Sequence, residues 1–174
     1  MYDYNLLVSY TREGGYFAAK QEIKMLLKKL GEEKPVVAKT IASGIVGVKT
    51  SLDSRKVIEE IRELYATNPL EIAFTLKWVP VDNWCSAEME EMKKVVAQIK
   101  DEIKPGERWA MEVEKRRFEK YHTQEIIKEL AGLIEEKVDL ERPDKILRVE
   151  IIDGFAGISV LKPREIFSTA KWQG

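Results

Sequence analysis

Apolar and polar positions along this chain follow two rhythms, one of period 2 and one of period 3.6, and the switches between them mark its elements. Residues 4–10 (Tyr-Asn-Leu-Leu-Val-Ser-Tyr) read as a strand, broken by Thr11-Arg12-Glu13-Gly14-Gly15. Ala19, Ile23, Leu26, Leu27 and Leu30 then recur at helical spacing, and Gly31 supplies the left-handed stop. Residues 35–40 and 45–50 are short apolar strands joined by a Ser43-Gly44 turn. Asp53 is a predicted N-cap for a helix carrying Val57, Ile58, Ile61, Leu64 and Tyr65, which Asn68-Pro69 ends. Residues 71–79 form a further long β-run, with Ile72, Phe74, Leu76 and Trp78 expected on one face.

That order, βαββαβ, is the split-βαβ, ferredoxin-like arrangement, and residues 1–80 suit its size. Residues 80–85 read as a hinge. A second pattern follows over 81–174. Ser86 is the expected N-cap of a helix with the stripe Met89, Met92, Val95, Val96, Ile99 and Ile103, stopped by Lys104-Pro105-Gly106. Residues 109–116 alternate as a strand. Thr123 is expected to cap a helix carrying Ile126, Ile127, Leu130, Leu133, Ile134 and Val138. Residues 146–152 and 157–161 are strands about a Gly154 turn, and 167–172 is a candidate edge strand. Strand, helix and strand across 109–152 make a βαβ unit, so its strands should be parallel with a right-handed crossover. The expected class is mixed α/β of the α+β kind, in two domains, 1–80 and 81–174.

Composition narrows the picture. A chain of 174 residues with 44% apolar content can bury a real core, roughly 70% of its unfolded surface. The net charge of −1 argues against a wholesale polyanion coat but leaves room for a local basic patch. One cysteine excludes a disulfide framework and a cysteine-based zinc site. No run reaches the ~20 apolar residues of a membrane span. The N-terminus lacks a basic flank before an apolar stretch, so the expectation is a soluble, cytoplasmic protein. Asparagine is scarce (Asn5, Asn68, Asn83) beside abundant lysine and glutamate, a bias toward heat-adapted sources.

Little of the sequence supports catalysis. His122 is the sole histidine, with no ligand set beside it and no nucleophile elbow elsewhere. Cys85, beside Trp84, has no nearby cation to make it reactive and reads as a buried hydrophobe. Gly14-Gly15 precedes a helix but lacks the full phosphate-binding pattern and reads as a turn. Acidic groups such as Glu88-Glu90-Glu91 sit beside lysines and read as solvated helix faces. No catalytic residue, metal site or cofactor is therefore expected.

The informative stretch is Lys115-Arg116-Arg117-Phe118-Glu119-Lys120-Tyr121-His122-Thr123. Cations interleave with aromatics where a strand leaves its sheet and a helix begins, so its first amides point at incoming anions. Lysine and arginine suit phosphate, and Tyr121 or Phe118 suits stacking on an unpaired base; the competing reading puts Phe118 in the core and leaves the charges solvated. Arg117 either faces RNA or pairs with Glu150. Lys162, Arg164 and Lys171 form a second basic group, joined to the first if the 157–161 strand lies near the 109–116 strand. The expected RNA-facing set is Lys115, Arg116, Arg117, Lys120 and His122, completed by Lys162, Arg164 and Lys171.

Trp109, Lys115-Arg116-Arg117, Ile126-Ile127, Val138-Asp139-Leu140-Glu141-Arg142-Pro143-Asp144, Val149-Glu150-Ile151-Ile152 and Gly157-Ile158-Ser159-Val160-Leu161-Lys162, in this order, resemble the THUMP domain, an RNA-binding module of tRNA modification proteins. The resemblance implies a preceding ferredoxin-like domain, as already read, and tRNA gripped at its acceptor stem and 3′ end by shape and phosphate. It implies no role for DNA or membrane. Trp78-Val79-Pro80-Val81-Asp82 is similar to the stand-alone subfamily that presents tRNA to a separate tRNA cytidine N4-acetyltransferase. With no Rossmann glycines, P-loop or zinc signature before Gly174, the resemblance implies a binding adaptor rather than an enzyme. Two alternatives stand beside it: the RNA-binding half of another tRNA modification enzyme, of methyltransferase or thiouridine synthetase type, and a metabolite-binding regulatory module.

Overall fold

The structure, a computed structural model, describes residues 2–170. They form two compact units: Asp3–Pro80 with residues 164–170, and Val81–Pro163 with Tyr2.

The first unit runs β1 (Leu6–Tyr10), α1 (Gly15–Lys29), β2 (Val36–Lys39), β3 (Ile45–Lys49), α2 (Ser54–Thr67) and β4 (Thr75–Pro80). The strands lie in the order β2-β3-β1-β4 with every neighbouring pair antiparallel, so β3 splits the β1-α1-β2 unit as a ferredoxin-like fold requires. The helical stripe Ile23, Leu26 and Leu27 meets Val57, Ile58 and Ile61 of α2 and the inward strand residues Leu6, Val8, Val46 and Val48 in one core. Gly31, at φ +104°, ends α1 where an L side chain would be strained. The Asp53 carboxylate caps α2, accepting from the amides of Arg55 (2.9 Å) and Lys56 (3.4 Å).

The long β-run expected at 71–79 is shorter. Residues 69–71 make a 3-10 turn and β4 begins at Thr75. The reason is Glu22, buried on α1, whose carboxylate accepts from the amides of Ala73 (2.7 Å), Phe74 (3.0 Å) and Thr75 (2.7 Å). These amides go to a side chain, so the segment has no ladder to join. Phe74 and Leu76 are consequently surface residues, while Ile72 and Trp78 are buried as expected. The Trp78 indole donates to the buried Thr75 hydroxyl at 3.1 Å.

The second unit runs β5 (Asn83–Ser86), α3 (Met89–Ile99), β6 (Trp109–Arg116), α4 (Thr123–Ala131), β7 (Lys145–Ile152) and β8 (Phe155–Leu161). Its sheet order is β5-β8-β7-β6, with β6 and β7 adjacent and parallel and the other pairs antiparallel. Leu147, Val149 and Ile151 of β7 face the α3 residues Met92 and Val96 and the α4 residues Ile126 and Leu130. Alternation then turns Arg148 and Glu150 to the opposite face.

Several boundaries differ from the sequence expectation. The 80–85 hinge contains strand β5, paired with β8. Ser86 ends that strand and does not cap α3, whose N-cap is Glu88; likewise His122, not Thr123, is the N-cap of α4. The α4 stripe stops at Ala131, well short of Val138. Residues 137 and 139 instead hydrogen-bond to the Trp109 backbone, and the Trp109 indole donates to the Glu136 carbonyl at 2.8 Å, drawing the chain along β6 toward β7. Finally, β9 (Phe167–Ser168) pairs with β4, which returns residues 164–170 to the first unit's sheet rather than the second's. The remainder of the expected 167–172 edge lies partly outside the described residues.

Candidate nucleic-acid interface

The corner between β6 and α4 is built by a strand that must stop and a helix that must start within seven residues, 116 to 123. Arg117 takes the turn at φ +56°, a left-handed conformation uncommon for a residue with a Cβ. Lys115 reaches across the loop and donates to the Tyr121 carbonyl at 2.8 Å, closing it. Phe118 and Tyr121 lie with ring centroids 5.9 Å apart and pack against the core, so the structure assigns both to the core rather than to a base-stacking platform. The Tyr121 hydroxyl also accepts from the Met89 amide at 3.1 Å, tying the loop to the start of α3.

Two cations of this corner are held by carboxylates. Arg116 donates to Glu150 at 2.7 Å, so the pairing expected for Arg117 belongs to its neighbour. Lys120 donates to Glu88 at 2.7 Å, and its ammonium holds the Glu88 carboxyl below the usual carboxylate range while Glu88 holds the lysine above its own. Among the described residues the exposed side chains of Arg117 and His122 make no hydrogen bond or ion pair. No side chain caps α4, whose N-terminus stands at the same place. The corner thus offers five cationic or titratable groups around a helix N-terminus, an arrangement that accepts phosphate oxygens.

The second basic group does not join it. β7 lies between β8 and β6, and the register places Leu161 opposite Ile146, beside Ala110 at the beginning of β6. Lys115 and Arg116 stand at the other end, beside Ile151 and Ile152. At ~3.3 Å per residue, Lys162 is roughly 20 Å from the corner. Arg164 belongs to the first unit, where its carbonyl accepts from the Arg62 guanidinium, and Lys171 lies outside the described residues.

Other candidates resolve into structure. Cys85 is buried, and burial, helped by Glu91, pushes its thiol up to about 11, away from reactive thiolate character. The Gly14 and Gly15 amides turn inward to Thr11, whose hydroxyl and carbonyl accept from them. Sequence reasoning missed the acidic partners: Glu88 read as a solvated helix residue, and only the fold brings it to Lys120, 32 positions away.

Residues 86–161 match the THUMP domain family, so the second unit contains a THUMP domain. The chain is homologous to THUMP domain-containing protein 1 of Mus musculus, 28% identical over 136 residues, which cover 72% of this chain and 39% of that protein. It therefore spans about two fifths of the length of this curated relative. The structure of PH1313 from Pyrococcus horikoshii Ot3 has the same fold at TM-score 0.63 and 19% identity, covering 92% of this chain and 55% of that one. A 4-thiouridine synthetase, solved as an RNA complex with bound ATP, shares it at TM-score 0.51 and 16% identity, over 92% of this chain and 42% of that one.

Proposed function

We propose that this chain is a tRNA-binding adaptor that presents tRNA to a separate modification enzyme, an acetyltransferase acting on cytidine N4. The observation that carries the RNA reading is the β6–α4 corner, where Lys115, Arg116, Arg117, Lys120 and His122 gather around an uncapped helix start inside a THUMP domain. The fold shared with a 4-thiouridine synthetase solved as an RNA complex supports it. The acetyltransferase as partner rests on the similarity of Trp78-Val79-Pro80-Val81-Asp82 to the stand-alone subfamily. The chain itself supplies grip rather than chemistry in this reading.

The test is a titration of tRNA binding against salt. Four or five neutralised phosphates give a plot of log K against log salt with a slope of about −3 to −4. A slope near zero would return the reading to a metabolite-binding module. With acetyl-CoA, ATP or S-adenosylmethionine the chain alone should leave tRNA unmodified, and adding the acetyltransferase should restore cytidine acetylation. Restoration by a thiouridine synthetase or methyltransferase chain instead would move the adaptor to that enzyme.

The corner's ion pairs give a second prediction of unusual sign. Glu88 competes with phosphate for Lys120, so Glu88→Gln should tighten tRNA binding several-fold and steepen the salt slope by up to about one unit. Because the folded pKa of Glu88 is depressed, the pair is intact above the ordinary carboxylate value and is lost only as pH falls through the lower, folded one. The wild-type competition therefore persists throughout the neutral range. Weaker binding by Glu88→Gln would show that the carboxylate shapes the corner rather than shielding it.

A further inference from the structure

The first unit carries the aromatic plate that the β6–α4 corner lacks. Phe118 and Tyr121 belong to the core, whereas Phe17, in the first turn of α1, is 74% exposed. Tyr16 packs partly on the core beside it, the two ring centroids 5.3 Å apart and the planes at 64°. Lys39, on the edge strand β2, sets its ammonium 4.8 Å from the Tyr16 ring and 5.9 Å from that of Phe17. Lys20, one turn along α1, lies 5.7 Å from Tyr16. A single exposed phenylalanine is ordinary, so it is the charge around this one that matters. Other helix lysines meet carboxylates: Lys93 pairs with Glu129, Lys94 with Glu91 and Lys29 with Glu71. Apart from the ring contacts, Lys20 and Lys39 make no hydrogen bond or ion pair among the described residues, and neither does Lys24. The one carboxylate of α1, Glu22, is buried and committed to the amides of residues 73–75. The exposed Glu13, ahead of the helix, is balanced in charge by the adjacent Arg12. At about 100° per residue, Lys20 and Lys24 stand roughly 60° and 20° around α1 from Phe17, so the three share one side of the helix.

We infer that this patch binds an unpaired stretch of RNA, with one base stacked on Phe17 and the neighbouring phosphates on Lys20, Lys24 and Lys39. A flat apolar ring takes the π-face of any base, and ammonium groups without carboxylates take the backbone on either side of it. The combination selects the ligand: an acidic peptide has no use for the plate, and an apolar one leaves the lysines without a counter-charge. A duplex does not fit, because its bases are already stacked on one another and present no free face. Only the choice of RNA over DNA rests on the proposed tRNA function. The patch itself stands on residues of the first unit.

A short fluorescent oligouridylate and its abasic counterpart, equal in length and phosphate number, test the proposal by anisotropy with the full chain. The uridylate should bind about tenfold more tightly, the gain from one stacked base. Phe17→Ala should erase that preference and Phe17→Tyr should keep it, and the site is exposed enough for both variants to fold. Lys20→Gln/Lys39→Gln should weaken both strands alike and flatten the salt slope by about 1.4 units, at ~0.7 per phosphate of a single strand. With 5-iodouridine in the strand, ultraviolet light should crosslink it to Phe17 or Tyr16, as read by mass spectrometry of the joined peptide. Because the preference is a ratio between strands of equal charge, it holds or fails apart from the corner's affinity for tRNA. Equal affinity for the two strands, a preference that survives Phe17→Ala, an unchanged salt slope in the lysine variant, or a crosslink outside residues 16 and 17 would overturn the proposal. So would displacement of the uridylate by an equal concentration of uridine monophosphate or of a glutamate-rich peptide, which would give the patch to a free nucleotide or to an acidic protein.

Discussion

Glu150→Ala is expected to destabilise the second unit by about 3–5 kcal/mol, the cost of leaving a buried ion without its partner. Arg148 and Glu150 stand two apart on β7, on the face turned away from α3 and α4, with side chains 4% and 2% exposed. The Arg148 Nε and Nη2 donate to Glu150 at 2.9 and 2.7 Å, and its Nη1 reaches Glu112, which lies directly alongside on β6, at 3.1 Å. Burial alone would pull the guanidinium's pKa down. The charges of Glu150, Glu112 and Glu114 more than offset it and leave the value raised. Without Glu150 the desolvation remains and most of the compensation is gone. Urea denaturation followed by circular dichroism should show the loss, and the melting midpoint should fall by on the order of 10 °C. The double variant Arg148→Met/Glu150→Leu should lie far closer to wild type, because well-packed apolar residues replace both ions together. If Glu150→Ala costs no more than that double variant, the network is water-screened and contributes little. The same carboxylate holds Arg116, so folded Glu150→Ala protein should bind RNA more tightly, with Arg116 released.

Much of this architecture was legible because local pattern and tertiary demand agree. The stripes Ile23-Leu26-Leu27 and Met92-Val96-Ile99 are buried where their periodicity places them, and the strand at 109–116 has the predicted limits. Two of the failures come from a polar group satisfied by a partner distant in sequence. Glu22 takes the amides of residues 73–75 and holds the chain ahead of Thr75 out of β4, and the Trp109 backbone draws residues 137–139 away from α4. Strand order likewise decides that Lys162 and the corner stand at opposite ends of one sheet, which spacing alone does not encode. At the site, the cationic run was readable as composition. Its pairing was not, because Glu88 and Glu150 reach it from α3's N-cap and from β7.

Arg116→Ala/Arg117→Ala/Lys120→Ala should weaken tRNA binding by about ten- to a hundredfold near 0.1 M salt and flatten the salt slope by about two to three units. The range is wide because Arg116 and Lys120 must first leave Glu150 and Glu88, which lowers what each gains from phosphate. Lys34→Ala/Lys56→Ala, exposed lysines of the first unit, should bind as wild type does. Equal losses in the two variants would mean that binding follows total charge rather than this corner. Arg117 allows a sharper separation. Its φ of +56° strains a residue with a Cβ, and its side chain has no partner among the described residues to compensate. Arg117→Gly should therefore raise stability, by about 1 kcal/mol, while it lowers tRNA affinity and removes about one unit of slope. Arg117→Ala keeps the strain and should lose the affinity without the gain in stability. If Arg117→Gly raises the melting temperature yet binds tRNA with unchanged affinity and slope, the corner does not meet the phosphates through this residue.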